Sequence, residues 1–261
     1  MKAHEELHMR SIARTVVLFT AALTSFAAGT GAAIAATLPI TWLSMAPTPF
    51  GTSVPNNSVF NLPGVGNVTV TYSIPGTFTD SRLQNACLQN GSLVLGPDTY
   101  TWTSHELFAT VLNTGPDPLV PVQWTITYTF PSTLPAGSVF VGIAGLGATT
   151  SFGGGTSTAT VNQNGTFLGD WSGGCGPWGP TQFTGGVGTF QMQNSLTGAG
   201  GADPWWNTPL GVVRINDAVS SVTLIFNQLR GDGVGGNIGY VRYDPTPATT
   251  PTWGRLKSIY R

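Results

Sequence analysis

VQWTITYTF, residues 122–130, alternates apolar and polar side chains without interruption. Successive side chains of an extended chain point to opposite sides, so Val, Trp, Ile, Tyr and Phe share one face and Gln and the threonines share the other. A period of two over this length predicts a β-strand with one buried face and one solvated face.

The same alternation recurs along the chain. NVTVTYSI (67–74) and SVTLIFNQL (221–229) repeat it clearly, GSVFVGIAG (137–145) and GTFQMQN (188–194) repeat it weakly, and NIGYVRYD (237–244) resembles a last strand. SHELFATVLN (104–113) also favours a strand, because β-branched residues and the strand-like DTYTW surround its helix formers. We expect about ten to twelve strands separated by Gly, Pro, Asn and Asp clusters. This pattern predicts an all-β, antiparallel two-sheet sandwich, for which we prefer a jelly-roll topology with the strand order left open.

One short segment predicts a hairpin. In TATVNQNGTFLG (158–169), Asn164-Gly165 lies between two extended runs. Asn-Gly is the strongest short hairpin signal, because both central residues of a type I′ turn need positive φ.

The first 35 residues have the features of a signal peptide. A charged start containing Arg10 and Arg14 precedes an apolar, small-residue run that ends in Ala33-Ile34-Ala35. We expect this run to be helical and to be cleaved near Ala35 or Ala36, which predicts a secreted or cell-surface protein; a retained membrane anchor is the alternative.

The rest of the chain divides by composition. Residues 36–244 form the predicted sandwich domain, 245–252 form a Pro/Thr linker, and 253–261 form a short amphipathic tail. After residue 35 no segment approaches the ~18 apolar residues that a membrane-spanning helix needs.

The chain is very sparsely charged. Charged residues make up 8% of it, against about 25% in ordinary soluble domains. We therefore expect no nucleic-acid partner and no electrostatic binding to anionic lipid, since both need a basic surface.

Two cysteines, Cys87 and Cys175, lie in the predicted exported region. An oxidising compartment favours a disulfide between them. Two buried free thiols are the alternative.

The ends of the predicted domain carry a resemblance. RGDGVGGNIGYVR (230–242) and the tail TWGRLKSIYR (252–261) resemble the last strand and the short sorting-like tail of exported bacterial extracellular β-sandwich proteins. This resemblance implies a cell-surface role. The tail departs from the PEP-CTERM sorting type because no membrane-spanning stretch precedes its final basic residue.

Several reaction types lack their residues. His105 is the one histidine after residue 35, and with two cysteines it cannot form a typical zinc site. The glycine-rich runs lack the Gly-Lys-Ser/Thr ending of a phosphate loop, and no G-x-S-x-G nucleophile motif occurs. We interpret His105 and Glu106 as surface strand residues.

A carboxylate pair for polysaccharide cleavage stays open, with Glu106 and the aspartates as sources. Most aspartates sit in turn contexts, where the side chain bonds nearby backbone. Asp232 and Asn237, in RGDGVGGN, are a weak candidate for a calcium site. We expect no other cofactor.

The tryptophans give the most positive signal. Trp124 and Trp102 alternate into strand faces, which predicts that both are buried. Others lie in Gly/Pro loops: Trp171, Trp178, Trp205 and Trp206. Loop tryptophans either cover the end of a sandwich or offer a flat apolar surface to a ligand.

GADPWWNTP (201–209) places two of these tryptophans side by side. Since adjacent side chains of an extended segment point apart, we expect one of Trp205 and Trp206 to be a buried anchor and Trp206 to be the exposed one. Trp178 could add to this surface, and Asn207 and Asp203 could bond sugar hydroxyls. No catalytic residue is predicted.

These patterns favour a non-catalytic, surface-associated β-sandwich with a glycan-binding or adhesive role. A polysaccharide-cleaving enzyme, either a glycosidase or a lyase, is the main alternative. A subunit of a surface layer or fibre is another, because threonine-rich strands could associate edge to edge.

Overall fold

The structure, a computed structural model, describes residues 35–112, 121–146, 157–175, 179–194, 208–228 and 233–243. Regular structure in these ranges is entirely β-strand, and no helix in them could span a membrane. The strands are β1 (Thr37–Pro39), β2 (Thr41–Trp42), β3 (Ser58–Leu62), β4 (Gly66–Ser73), β5 (Phe78–Leu83), β6 (Gly91–Leu95), β7 (Asp98–Trp102), β8 (Leu107–Leu112), β9 (Val122–Leu134), β10 (Val139–Ala144), β11 (Ser157–Val161), β12 (Gly165–Trp171), β13 (Thr181–Val187), β14 (Thr189–Asn194), β15 (Leu210–Ile215), β16 (Val219–Gln228) and β17 (Val234–Tyr240).

The strands form three sheets. A seven-stranded sheet, the middle sheet, has the order β12-β15-β10-β17-β8-β5, with β2 also paired to β17. A second seven-stranded sheet, the threonine sheet, has the order β13-β14-β11-β16-β9-β4-β3 and contains VQWTITYTF. A three-stranded cover sheet has the order β1-β7-β6.

The two large sheets contain a jelly roll. The chain from β8 to β11 pairs antiparallel with the chain from β14 to β17, as β8 with β17, β9 with β16, β10 with β15 and β11 with β14. This gives β8-β17-β10-β15 in one sheet and β9-β16-β11-β14 in the other, which is one long hairpin wrapped into a sandwich. The predicted fold class is confirmed, and the strand order that the sequence left open is now defined.

The main core lies between the middle and threonine sheets. Trp124 and Phe226 stack with ring centroids 4.2 Å apart, and both belong to a buried cluster that includes Val141 and Ile238 of the middle sheet. Ile126 is fully buried, while its threonine neighbours in β9 lie on the outer face. The alternation of VQWTITYTF is therefore confirmed as a one-sided strand.

The middle sheet is covered on its other face as well. Tyr100 and Trp102 of the cover sheet pack with Phe140 and Val212 in a second buried cluster. Every residue of β10 is buried, so GSVFVGIAG reads as a nearly continuous apolar run rather than an alternation.

The predicted number of strands is wrong, because the described ranges hold 17. The excess lies in short strands such as β1 and β2, with 3 and 2 residues. Strands of that length carry too little alternation to be recognised.

The hairpin predicted at Asn164-Gly165 is also wrong. β11 belongs to the threonine sheet and β12 to the middle sheet, so the chain crosses between sheets here. Asp217 holds the crossing, accepting hydrogen bonds from the Asn164 amide at 2.7 Å and Nδ2 at 2.6 Å. Gly165 is needed for packing rather than for a turn, since a Cβ there would lie 2.6 Å from the Phe190 ring.

Cys87 and Cys175 form the predicted disulfide, with their Cα atoms 6.1 Å apart. The bond joins the β5–β6 connection to the segment that follows β12. Next to it, Trp102 Nε1 donates a hydrogen bond to the Leu88 carbonyl at 3.0 Å, which ties the same connection to the cover sheet.

We expect replacement of both cysteines by alanine to lower the free energy of unfolding by roughly 4 kcal/mol, because the bond closes a long loop in the unfolded chain. Urea unfolding of the two proteins measures the difference. Reductant should lower the wild-type midpoint and leave the double variant unchanged. Equal midpoints without reductant would contradict a stabilising role.

Candidate functional site

A groove of about 700 Å³ lies where the cover sheet meets the end of β17. β1 runs parallel to β7, with Thr37 opposite Thr99, and this register brings Ala36 beside Asp98. The Ala36 carbonyl accepts a hydrogen bond from the Thr99 amide at 2.8 Å, and the Ala36 amide donates to Asp98 Oδ1 at 3.4 Å. The start of β1 and Asp98 thus form one wall.

The end of β17 and the segment after it also line the groove. Tyr240, Arg242 and Tyr243 line the groove, while Val241 between them is buried in the second core. The Tyr240 ring lies over the β3–β4 turn, where a Cβ on Gly64 would be 3.2 Å from it. Tyr243 is 43% exposed, and its hydroxyl donates to the Gly137 carbonyl at 3.2 Å. We call Asp98, Tyr240, Arg242 and Tyr243 the tyrosine groove.

A second hollow, of about 390 Å³, shares Asp98 and Tyr243 with the groove. Arg214 lines it, and its Nη1 donates to the Tyr100 hydroxyl at 3.2 Å. Arg214 Nε is buried without a hydrogen-bond partner. Arg214 thus places a guanidinium in the second hollow, and the Asp98 carboxylate lines both hollows.

Tyr243 is a neutral donor in this setting. Burial, followed by its hydrogen bond with Tyr100, raises the pKa of Tyr243 to about 12, although Arg214 opposes the shift. The phenol therefore keeps its proton at physiological pH.

The residues predicted for ligand binding lie outside the described ranges: Trp178, Asp203, Trp205, Trp206 and Asn207. The proposed division of Trp205 and Trp206 into anchor and platform stays a prediction. Trp171 does not lie in a loop as expected, because it ends β12 and packs edge to face on Trp102 with ring centroids 5.9 Å apart.

The interpretation of His105 and Glu106 as surface residues is wrong. His105 is 1% exposed and Glu106 is 5% exposed. Glu106 accepts hydrogen bonds from Arg82 Nε at 2.9 Å and Nη2 at 2.6 Å, and also from the Met45 amide. Arg82 Nη1 donates to the Thr48 carbonyl. The buried Arg82–Glu106 ion pair therefore links the segment before β3 to β5 and to the start of β8.

The predicted calcium ligands do not assemble in the described residues. Asn237 is fully buried, and its Nδ2 donates to the Leu43 and Glu106 carbonyls at 2.9 and 2.8 Å. Its Oδ1, the atom that calcium would need, accepts the Ile238 amide at 2.8 Å. Asp232 lies outside the described ranges, and within them no three acidic, His or Cys side chains group together. Asn237 therefore has a structural role.

The tyrosine groove has no clear mark in the sequence. Asp98 is one of the aspartates in a turn context, and YVRY (240–243) lies at the end of a predicted strand. The available signal was the spacing of two tyrosines around an arginine at a strand end. Comparison with protein families, curated proteins and solved structures returned no match.

His105 should make stability depend on pH. Burial lowers the pKa of His105 to about 3, whereas an unfolded histidine has a pKa of about 6.5. Below pH 6.5 the unfolded chain therefore binds a proton that the folded chain refuses. The free energy of unfolding should fall with decreasing pH, approaching about 1.4 kcal/mol per unit.

Urea unfolding of wild type and His105→Phe between pH 7.5 and 5 tests this expectation, since most carboxylates stay ionised in that window. The variant should lose the slope below pH 6.5. Parallel curves for the two proteins would show that His105 does not titrate on unfolding.

Proposed function

We propose that this chain is a non-catalytic, secreted or cell-surface β-sandwich that binds glycans in the tyrosine groove. The observation that carries the proposal is the pair of tyrosines, Tyr240 and Tyr243, that line the groove together with Asp98. A concave site with aromatic walls and a few polar groups is the usual form of a small-ligand site.

Each side chain of the groove suits a sugar ring. The face of an aromatic ring carries negative charge density, which attracts the C–H groups on the apolar face of a sugar. Asp98 can accept hydrogen bonds from hydroxyls, and so can the Tyr243 oxygen, whose proton is donated to the Gly137 carbonyl. The Arg242 guanidinium can donate them. Arg214, in the adjoining hollow, adds a donor fork.

The distribution of carboxylates supports binding over cleavage. Glycoside hydrolysis uses two carboxyl groups roughly 5–9.5 Å apart. Asp98 is the one carboxylate in the described lining of the groove, and Glu106 is engaged by Arg82 in the interior. The disulfide fits an oxidising compartment, which supports export.

Tyr243→Ala should weaken glycan binding about tenfold, which corresponds to about 1.4 kcal/mol. Wild type is first screened on a glycan array, and the affinity for the best oligosaccharide is then measured by calorimetry. Phe50→Ala is the matched control, because Phe50 is a similarly exposed aromatic ring, at 47%, outside the groove. Unchanged affinity in Tyr243→Ala, with binding by wild type intact, would place the site elsewhere.

The alternative location of the binding site is the loop that contains Trp205 and Trp206. If they carry the site, Trp206→Ala should lose binding while Tyr243→Ala keeps it. Trp205→Ala should instead lower the free energy of unfolding by roughly 3–5 kcal/mol, as expected for a buried anchor. Equal stability losses in both variants would refute the division of roles.

The two alternative functions have distinct readouts on the same protein. Release of reducing ends, or of unsaturated sugar absorbing in the ultraviolet, would contradict a non-catalytic role. A solution mass that rises with concentration would favour a surface-layer or fibre subunit.

A further inference from the structure

We infer that cleavage between Ala35 and Ala36 turns the new α-ammonium group of Ala36 into a binding group of the tyrosine groove, where it pairs with Asp98. Its role toward a glycan rests on the function proposed above. The position of cleavage rests on the small residues before it and on the docking of Ala36, and the ion pair rests on geometry.

The start of β1 is already in place in the uncleaved chain. Ala36 N lies 3.4 Å from Asp98 Oδ1, and the Ala36 carbonyl is held by the Thr99 amide at 2.8 Å. Ala35 is exposed, whereas Ala36 is half-buried in the groove wall. The compact unit also begins at Ala36. The peptide bond between Ala35 and Ala36 therefore directly precedes the first residue that lines the groove.

The covalent step is hydrolysis by a peptidase that prefers small residues, which Ala33 and Ala35 supply. Water adds across the amide bond, so that Ala35 leaves as a carboxylate and Ala36 N becomes an amine that takes up protons. One amide N–H beside Asp98 is thereby replaced by three donors with a positive charge. A charge-assisted hydrogen bond is shorter and stronger than the neutral one it replaces.

Cleavage one residue later would undo the arrangement. Removal of Ala36 deletes both the carbonyl that Thr99 holds and the nitrogen beside Asp98. The new terminus would lie about 3.3 Å farther along β1, the rise of one strand residue. Of the two cleavage positions that the sequence predicts, before and after Ala36, only the first leaves the new terminus beside Asp98.

The ammonium would face a defined set of groups. Asp98 on β7 is the carboxylate, and Tyr240, Arg242 and Tyr243 come from the segment at the end of β17. Asp98 stabilises the charged form, and Arg242 opposes it. In the processed protein the ammonium offsets the charge of Asp98, so the groove repels glycans that carry carboxylate or sulfate groups less than it does in the uncleaved chain.

The first test exports the full chain and determines the processed terminus by intact mass and N-terminal sequencing. We expect the chain to start at Ala36. The pKa of the α-amino group is then measured by NMR after ¹³C reductive methylation. It should lie about one unit above the ordinary 7.7–8.0, and Asp98→Asn should return it to that range.

Asp217→Asn is the matched control, because it also removes a carboxylate. Asp217 accepts hydrogen bonds from Asn164 and lies outside the groove. This variant should leave the α-amino pKa raised. A different terminus, or an α-amino pKa that Asp98→Asn does not change, overturns the inference whether or not any glycan binds.

The second test inserts Ser-Gly between Ala35 and Ala36, so that the ammonium is displaced by two residues, with its position verified by mass. Affinity for a uronate-containing oligosaccharide should fall about tenfold, and affinity for its carboxyl-reduced form should change little. Equal affinities of the insertion variant and wild type for the uronate would refute the ligand role. Failure of wild type to bind any glycan would instead refute the proposed function and leave the first test decisive for the ion pair.

Discussion

The middle sheet is packed on both faces, and the rest of the structure follows from that constraint. A sheet covered on both faces buries most of its side chains, so β10 is buried throughout, and polar exceptions such as Asn237 are hydrogen-bonded. Close packing also selects glycine: a Cβ on Gly142 would lie 2.9 Å from the Trp42 ring, and one on Gly239 would lie 2.5 Å from Ile40. The second face needs its own layer, which the cover sheet and the disulfide-linked connection provide.

Polar groups inside the sandwich are satisfied unevenly. Between the large sheets, Gln228 Oε1 accepts hydrogen bonds from Thr110 at 2.8 Å and from Trp124 Nε1 at 3.0 Å. Between the middle and cover sheets, Trp42 Nε1 and His105 Nε2 are buried without partners, although their rings pack edge to face 4.8 Å apart. An unpaired buried donor or acceptor costs about 1–3 kcal/mol. The disulfide joins the connection before β6 to the segment after β12 at the margin of this layer.

The fold could be predicted where a strand has one solvated face and pairs with a strand of the same alternating pattern. β9 and β16 alternate cleanly, so their residues identify the core without further information. Prediction failed where a residue's role depends on a distant partner. Nothing near Glu106 indicates Arg82, and Asn164-Gly165 has the sequence of a turn although Asp217 makes it a crossing between sheets. The groove was hidden for the same reason, since Asp98 meets Ala36 across 62 residues of chain.

The groove depends on the one parallel pair among the described strands. β1 has 3 residues and ends in Pro39, which has no amide hydrogen to donate, so its docking relies on few backbone bonds. The bonds that flank it, from Thr99 N to Ala36 at 2.8 Å and from Ile40 N to Thr101 at 2.7 Å, hold both of its ends. β1 is a short strand at the edge of the cover sheet, so few contacts hold it. Asp98 accepts a hydrogen bond from the amide of Ala36, the residue before β1, and both residues line the groove. The short β1 pairing and the lining of the groove therefore share the same few contacts.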